Sequence, residues 1–375
     1  MLKDIHTITE KFEVGAEGKY LGLVEYFTAL IRSDALKAGD RLPTYVELQS
    51  QFGLTANTIN RAMIALEQQG LIERRRGSGV YVANPISSTP STPRTHHGII
   101  GLCGFGFRRS ASSFYWMHLI EGIRAQAESA GSQILLLPYD VTNGWEKVDG
   151  VLASDGLSDS HRDAIPSQLP IVCLFDDRRN WASVVANEYS GLKQATEHLL
   201  ELGHRRIAYL HGDNFVVVPQ RLKGYKDALS EFGITPESNW LRLLSGINDS
   251  GPQFTASGRR DMSAWLQDQG PNGWNQLGCT ALLCHNDDTA VGVMQSLQEA
   301  DLNVPRDVSV VGFDGTEVGE YFSPPLTTVE MPLERMGELA TSLLQKQIAT
   351  DEVMVEHKVL STHLQVREST AAPCH

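Results

Sequence analysis

The sequence predicts an α/β protein in two unlike parts: an N-terminal winged helix-turn-helix and, behind a linker, a doubly wound parallel sheet. Three observations predict it. Residues 18–83 hold three helical periods followed by two short strands about a glycine turn. Residues 84–97 (NPISSTPSTPRTHH) hold three prolines, many Ser/Thr and no apolar period, which is linker texture. Beyond 97, short continuous apolar runs alternate with amphipathic stretches, the pattern of buried parallel strands covered by helices.

Residues 1–17 show no clear period. From Lys19 to about Ser33, Tyr20, Leu23, Val24, Phe27, Leu30 and Ile31 fall at helical spacing. LKAGDRLPT is a turn-rich break. Thr44-Tyr-Val-Glu47 reads as a capping box opening a second helix to Phe52, which Gly53 ends. Thr55 caps a third helix, with Ile59, Ala62, Met63 and Leu66 on one apolar face and Gly70 at its end. Residues 71–76, 77–79 and 80–82 read as strand, tight turn, strand. In the body, residues 98–103, 134–137, 148–153, 171–175, 207–210, 281–284 and 308–313 are the candidate strands. Cys103, Cys173 and Cys284 sit inside them and read as core thiols.

At 375 residues the chain has the length of two to three domains. No run approaches the roughly 20 apolar residues of a membrane helix. The polar N-terminus lacks an apolar signal region, so a cytoplasmic location is expected. Five scattered cysteines make no disulfide framework. Up to Asn84, Lys/Arg and Asp/Glu balance; the whole net charge of −13 lies beyond it. A neutral segment with clustered arginines on an acidic body suits a small nucleic-acid reader on a ligand sensor.

In a winged helix-turn-helix the third helix enters the major groove and the wing rests on the backbone. Asn57, Thr58, Asn60 and Arg61 are the expected exposed positions of that helix, and amides and guanidinium hydrogen-bond base edges. Arg74, Arg75 and Arg76, beside the turn glycine Gly77, are placed to hold phosphates. Thr44 completes the expected DNA-contacting set. An isolated run of three arginines is more often a solvated hairpin; the ordered pattern around it counts against that. AGDRLPTYVELQSQFGLTANTINRAMIALEQQGLIERRRGSGVYVAN resembles the DNA-binding domain of GntR-type regulators, through LP-x-x-x-EL, FGLT, the TINRA helix and the GSGVYV wing. It departs at Val46, Ala56 and Asn60, where that family often has arginine.

Several polar residues follow predicted strand ends, where open α/β sheets bind ligands. They are Asp176 and Asp177 after IVCLF, Arg221 after IAYLHG, Asn286, Asp287 and Asp288 after ALLCH, and Asp314 after VSVVGF. Phe114, Tyr115, Trp116 and Phe215 are aromatic candidates for stacking on a sugar face. Taken singly, each acid is more often a cap and each aromatic more often core. Residues 98–368 resemble the effector domain of the LacI/GalR family, related to periplasmic sugar-binding proteins, through VDGVLAS, HLLELGHRRIAYLHGD, VPQRLKGYKDALSEFGI and ALLCHNDDTAVGVMQSLQEADLNVPRDVSVVGFDGTEVGEYFSPPLTTVE. The combination is similar to the arabinose-repressor branch of GntR regulators. The resemblance implies that Arg221, Asn286, Asp287 and Asp314 approach the ligand, and that Asn187, usually Asp in the family, marks the hinge. It also implies a periplasmic-binding-protein-like body in two lobes. Lobe one is about 98–185 plus 330–353; lobe two is about 187–327 plus 355–368. The crossovers fall near 184–187, 327–330 and 354–358.

No GxxxxGK[ST], HExxH or G-x-S-x-G occurs, and GLCGFG is not a dinucleotide fingerprint. His96-His97 and Cys374-His375 lack a third ligand in spacing, so neither metal nor cofactor is expected. The expectation is a ligand-responsive repressor, not an enzyme: a homodimer binding double-stranded operator DNA, with a sugar or sugar derivative as effector. The alternative is a sugar-binding module without specific DNA binding.

Overall fold

A computed structural model describes residues 22–24, 26–28, 30–31, 35–37, 39–68, 71–75, 79–82, 97–104, 114–137, 144–154, 165–166, 168–175, 181–212, 217–245, 254–268, 274–351 and 355–374. The chain divides into two compact units, Met1–Thr95 and His96–His375.

In the first unit residues 22–24, 26–28 and 30–31 are helical, and Leu23, Val24 and Phe27 are buried. Helix α1 (Tyr45–Phe52) opens at the expected capping box. Glu47 N donates to Thr44 Oγ1 at 3.3 Å, and Thr44 N donates to Glu47 Oε2 at 2.7 Å. It ends at Gly53, whose φ of 63° is the left-handed conformation that glycine adopts without strain. Helix α2 (Ala56–Gln68) buries Ile59, Ala62, Met63 and Leu66. Strands β1 (Ile72–Arg75) and β2 (Gly79–Val82) pair antiparallel, Ile72 opposite Val82. The break before α1 does more than turn: Leu42 N donates to Val80 O, Val82 N donates to Asp40 O, and Arg41 bridges Tyr81. Residues 39–42 thus line the other edge of β2.

The second unit is built on two six-stranded sheets. The first runs β4-β3-β5-β6-β7-β13 and is parallel throughout. Its strands are β3 (Ile99–Cys103), β4 (Gln133–Leu136), β5 (Gly150–Ala153), β6 (Ile171–Leu174), β7 (Ala182–Ala186) and β13 (His357–Leu360). The second runs β9-β8-β10-β11-β12-β14. It comprises β8 (Ile207–His211), β9 (Leu241–Leu243), β10 (Ala281–Cys284), β11 (Ser309–Asp314), β12 (Thr327–Glu330) and β14 (His363–Gln365), of which only the β12–β14 pairing is antiparallel.

Helices cover these sheets because their central strands are apolar on both faces. Val151, Leu152, Val172 and Leu174 of the first sheet, and Tyr209, Leu210, Leu282 and Leu283 of the second, are buried. Helix α3 (Phe114–Ser129) packs against α10 (Leu333–Thr350) on the first sheet. On the second, α4 (Glu188–Glu201) packs against α5 (Val217–Glu231), and α6 (Phe254–Asp268) against α8 (Asp287–Glu299). Short helices α7 (Trp274–Leu277) and α9 (Glu317–Glu320) complete the second lobe.

The chain crosses from the first sheet to the second after β7 and returns between β12 and α10. The third crossing differs from the expectation. Residues 355–368 do not all belong to lobe two: β13 adds to the edge of the first sheet beside β7, and only β14 returns to the second. The crossover lies between Leu360 and His363, because Lys358 and Val359 pair with Val184 and Val185.

Candidate nucleic-acid interface and effector site

On α2, Arg61 is exposed, as expected of a base-reading position. Thr58 and Asn60 are only half-exposed. The hydroxyls of Thr55 and Thr58 are 2.9 Å apart, and Tyr45 Oη donates to Asn60 Oδ1 at 3.0 Å. Asn60 therefore locks α2 against α1 in this unit, so the expectation of a fully exposed amide is corrected. Thr44 Oγ1 is 2.8 Å from Glu47 Oε2, within its capping box. Asn57 lies on α2 and Arg74 and Arg75 on β1, but their side chains, like Arg76 and Gly77, lie outside the described residues.

In the second lobe the carboxyl ends of β8, β10 and β11, which are neighbours, bring the expected residues together. Arg221 on α5 is 4% exposed. Its Nε donates to Glu188 Oε2 at 2.6 Å, its Nη1 donates to the His285 carbonyl at 2.6 Å, and its guanidinium lies 3.5 Å above the Phe313 ring. Arginine thus reaches the residue before Asn286 and the residue before Asp314. Burial works against its charge, but Glu188, Tyr209 and Asp314 outweigh burial and hold its pKa above the usual arginine value. Glu188, first residue of α4, did not stand out in the sequence; a helix-opening carboxylate reads as an ordinary first-turn acid.

Asp314 ends β11 at φ 113°, a left-handed conformation unfavourable for a side chain with a Cβ. It is 9% exposed, and among the described residues its carboxylate accepts no hydrogen bond. Burial pushes its pKa well above the ordinary carboxylate value; Arg221 opposes this, and Asp287, Glu188 and Asp288 add to it. Asn286 is the cap of α8, its Oδ1 accepting from Thr289 N at 2.9 Å and Thr289 Oγ1 at 2.6 Å.

Asp287 corrects an expectation. It is fully buried, and both carboxylate oxygens are taken: Oδ2 by Thr316 N at 2.6 Å and Oδ1 by the Thr328 hydroxyl. Gly312 leaves the space for it, since a Cβ there would stand 2.2 Å from Asp287 Oδ1. Asp287 is a strut joining β10 to β12 and the approach to α9, not a ligand-facing group. Burial pushes its pKa up to about 7. His285 goes the other way, down to about 3, through desolvation and the neighbouring Arg221.

In the first lobe Tyr115 and Trp116 pack against Phe175, with ring centroids 5.7 Å apart in each case. Phe175, the residue after β6, stands at φ 67°. Phe114 stands 46% exposed and makes no ring contact among the described residues, so the cluster is Tyr115, Trp116 and Phe175. Asn187 sits at the first crossing. It caps α4, its Oδ1 accepting from Ser190 N at 3.0 Å, and its own N–H donates to Leu360 O at 2.8 Å. Asp176, Asp177 and Phe215 lie outside the described residues. Between the lobes, His118 on α3 reaches Glu334 of α10 at 2.9 Å and Glu317 of α9 at 2.8 Å. Burial opposes its charge, but these hydrogen bonds hold its pKa above the ordinary imidazole value.

Residues 19–82 match the bacterial regulatory proteins of the gntR family, and residues 196–370 match the periplasmic binding protein-like domain. The chain joins a gntR-type regulatory domain to a periplasmic-binding-protein-like domain. The gntR-type match lies within the first compact unit, and the binding-protein-like match runs from within α4 through the strands of the second sheet and also takes in α10 and β13 of the first lobe. HTH-type transcriptional repressor PurR of Vibrio vulnificus (strain CMCP6) is 28% identical over 258 residues, 64% of this chain and 73% of that protein. The ribose operon repressor of Haemophilus influenzae is 32% identical over 228 residues, 60% of this chain and 64% of that protein. A LacI family transcriptional regulator from Enterococcus faecium, solved with bound ribose, superposes with a TM-score of 0.61 at 24% identity. It covers 73% of this chain and 99% of that one, and shares the fold. These homologues are transcription regulators. No described helix is long and apolar enough to cross a membrane, and no described group of three or more His, Cys, Asp or Glu side chains could hold a metal ion.

Proposed function

We propose that the protein is a transcriptional repressor whose operator binding is governed by a sugar or sugar derivative, and that it is not an enzyme. One observation carries the reading. A DNA-reading fold with exposed Arg61 stands in one chain with a two-lobed body whose adjacent strand ends gather Arg221, Asn286 and Asp314. The relatives support it: both are repressors, one of a ribose operon. Asp314 accepts from ligand hydroxyls, and the Asn286 amide, whose oxygen is engaged by Thr289, donates. The Tyr115–Trp116–Phe175 cluster of the first lobe supplies an apolar wall for a sugar face. A ligand touching both lobes favours their closed arrangement, which biases how two heads of a dimer meet a two-fold operator.

The test is a gel shift on the promoter of the protein's own gene, across salt concentrations, with and without added sugars. Retardation in excess of random DNA, relieved or strengthened by one sugar, is the expected result. Binding no tighter than to random DNA would leave the body as a sugar-binding module without an operator.

A further inference from the structure

The two helices that the winged fold brings to a duplex carry one cation between them. α1 is YVELQSQF and α2 is ANTINRAMIALEQ, so Arg61 is their sole lysine or arginine. The second helix of such a pair enters the major groove with its first residues at the base edges, while the first helix crosses the backbone. Ala56 opens α2 and is exposed. Tyr45 Oη donates to Asn60 Oδ1 at 3.0 Å, which sets the first turn of α1 beside Asn60, one helical turn from Ala56 on the same face. Val46 follows Tyr45 and, at 74%, is the most exposed large apolar side chain among the described residues of the head. The polar side chains around these two are turned onto one another. Thr44 and Glu47 close the capping box. The Thr55 hydroxyl accepts from Thr58 N at 3.3 Å and lies 2.9 Å from the Thr58 hydroxyl, and the Asn60 oxygen holds Tyr45. The methyl groups of Ala56 and Val46 are left at the surface.

In the major groove thymine shows an apolar group, its C5-methyl, whereas a guanine edge shows the acceptors N7 and O6 and cytosine the N4 donor. A methyl side chain packed on thymine buries apolar surface of both partners. The same side chain packed on guanine covers two acceptors and returns no hydrogen bond, which is unfavourable. We infer that Ala56 and Val46 are specificity-determining contacts that read thymine methyl groups, so that an operator half-site carries A·T pairs opposite the start of α2. The inference rests on sequence-specific DNA reading by the head and is independent of the effector. Guanine is left to Arg61, whose guanidinium matches its O6 and N7.

The test begins with selection of duplexes from a random pool by the full-length protein. In the selected site each thymine is replaced singly by deoxyuridine, which removes the methyl and nothing else, and affinity is read by fluorescence anisotropy. Deoxyuridine at one or two positions of the half-site should weaken binding about fourfold. At those positions a 5-methylcytosine·guanine pair should bind about fourfold tighter than a cytosine·guanine pair. Val46→Ser and Ala56→Ser should each lose the deoxyuridine effect at one position. Both residues are exposed, so the fold is retained, and the deoxyuridine series on the unaltered protein stands whatever the variants do. Ala56→Arg should move the selected base at its position to guanine. A site where no deoxyuridine weakens binding by as much as about twofold, or where the effect survives in both serine variants, overturns the inference and leaves DNA reading by the head standing. No enriched sequence at all overturns specific DNA reading and the inference with it.

Discussion

Asp314 shows how one residue carries both cost and use. Its φ of 113° and its burial without a hydrogen-bond partner among the described residues are each unfavourable, and together they place an acceptor at the end of β11. Asp314→Ala and Asp314→Gly should both abolish the ligand response while operator binding persists, since head and body are separate compact units. The glycine variant should be the more stable by about 1 kcal/mol, because only the alanine retains the strained Cβ. Urea titration of the two decides it, and equal midpoints would show that the backbone there is unstrained. Arg221 is a different case. Arg221→Met leaves Glu188 buried without its cation and should cost about 3–5 kcal/mol of stability, read by the same titration. In the head, Arg61→Ala should weaken operator binding by about 1–3 kcal/mol and relax base preference at one position. An unchanged gel shift and unchanged preference would exclude Arg61 as a base reader.

At the scale of elements, much of the structure follows from local chemistry. The capping box at Thr44 and the left-handed Gly53 bound α1 as their residue types require. Thr44→Ala should cost the head about 1 kcal/mol, measured by thermal melting of the full chain. The apolar runs became β3, β4, β5, β6, β8, β10 and β11, each within a residue or two of its expected range. Strands β7, β9, β12, β13 and β14 were not legible as strands. HKVL and HLQ are half-exposed edge segments with polar residues, so no continuous apolar run announces them. Asp287 shows the same limit for a site residue. In sequence it follows a strand end like its neighbour Asn286, but Thr316, Thr328 and Gly312, all distant in the chain, turn it inward. Its raised pKa makes a pH prediction. The folded state holds the proton more tightly than the unfolded chain. The stability associated with the neutral acid is therefore full below the ordinary carboxylate value and is lost as pH rises through about 7. Asp287→Asn should flatten that part of the stability profile between about pH 4 and 7. A difference between the two proteins that does not vary with pH would rule it out.

For the whole molecule, the lobes are joined by the three chain crossings and by the His118–Glu317–Glu334 cluster. A histidine whose folded pKa is raised stabilises most below the unfolded value and loses that contribution as pH rises through the raised one. His198 and His204 pull the opposite way. Burial lowers their pKa, so their contribution is lost as pH falls through the ordinary imidazole value. The summed contribution of these three histidines is greatest between the two losses. His118→Gln should remove the alkaline part of the profile while altering stability by less than about 1 kcal/mol, because the cluster is partly solvated. Dimerisation through the body is expected as well, since a lone winged helix makes few base contacts. A strictly monomeric mass by light scattering, with and without DNA, would exclude a two-headed repressor.

The sequence by itself determined the two-part plan, the winged head with its caps and wing, seven of the body's parallel strands, and the placing of Arg221, Asn286 and Asp314 past strand ends, though it set Asp287 beside them. Each of these is written in local chemistry: periodicity, caps, glycines, and polar residues just past apolar runs. Only the tertiary structure decided that Glu188 neutralises Arg221, that Asp287 is a strut, that Asn60 braces α1, and that His357–Leu360 closes the edge of the first sheet. Those four outcomes depend on partners 33, 29, 15 and about 174 residues away. Hydrogen bonds and ion pairs between such distant residues leave no periodic trace, because either partner alone has the composition of an ordinary helix cap, loop or edge.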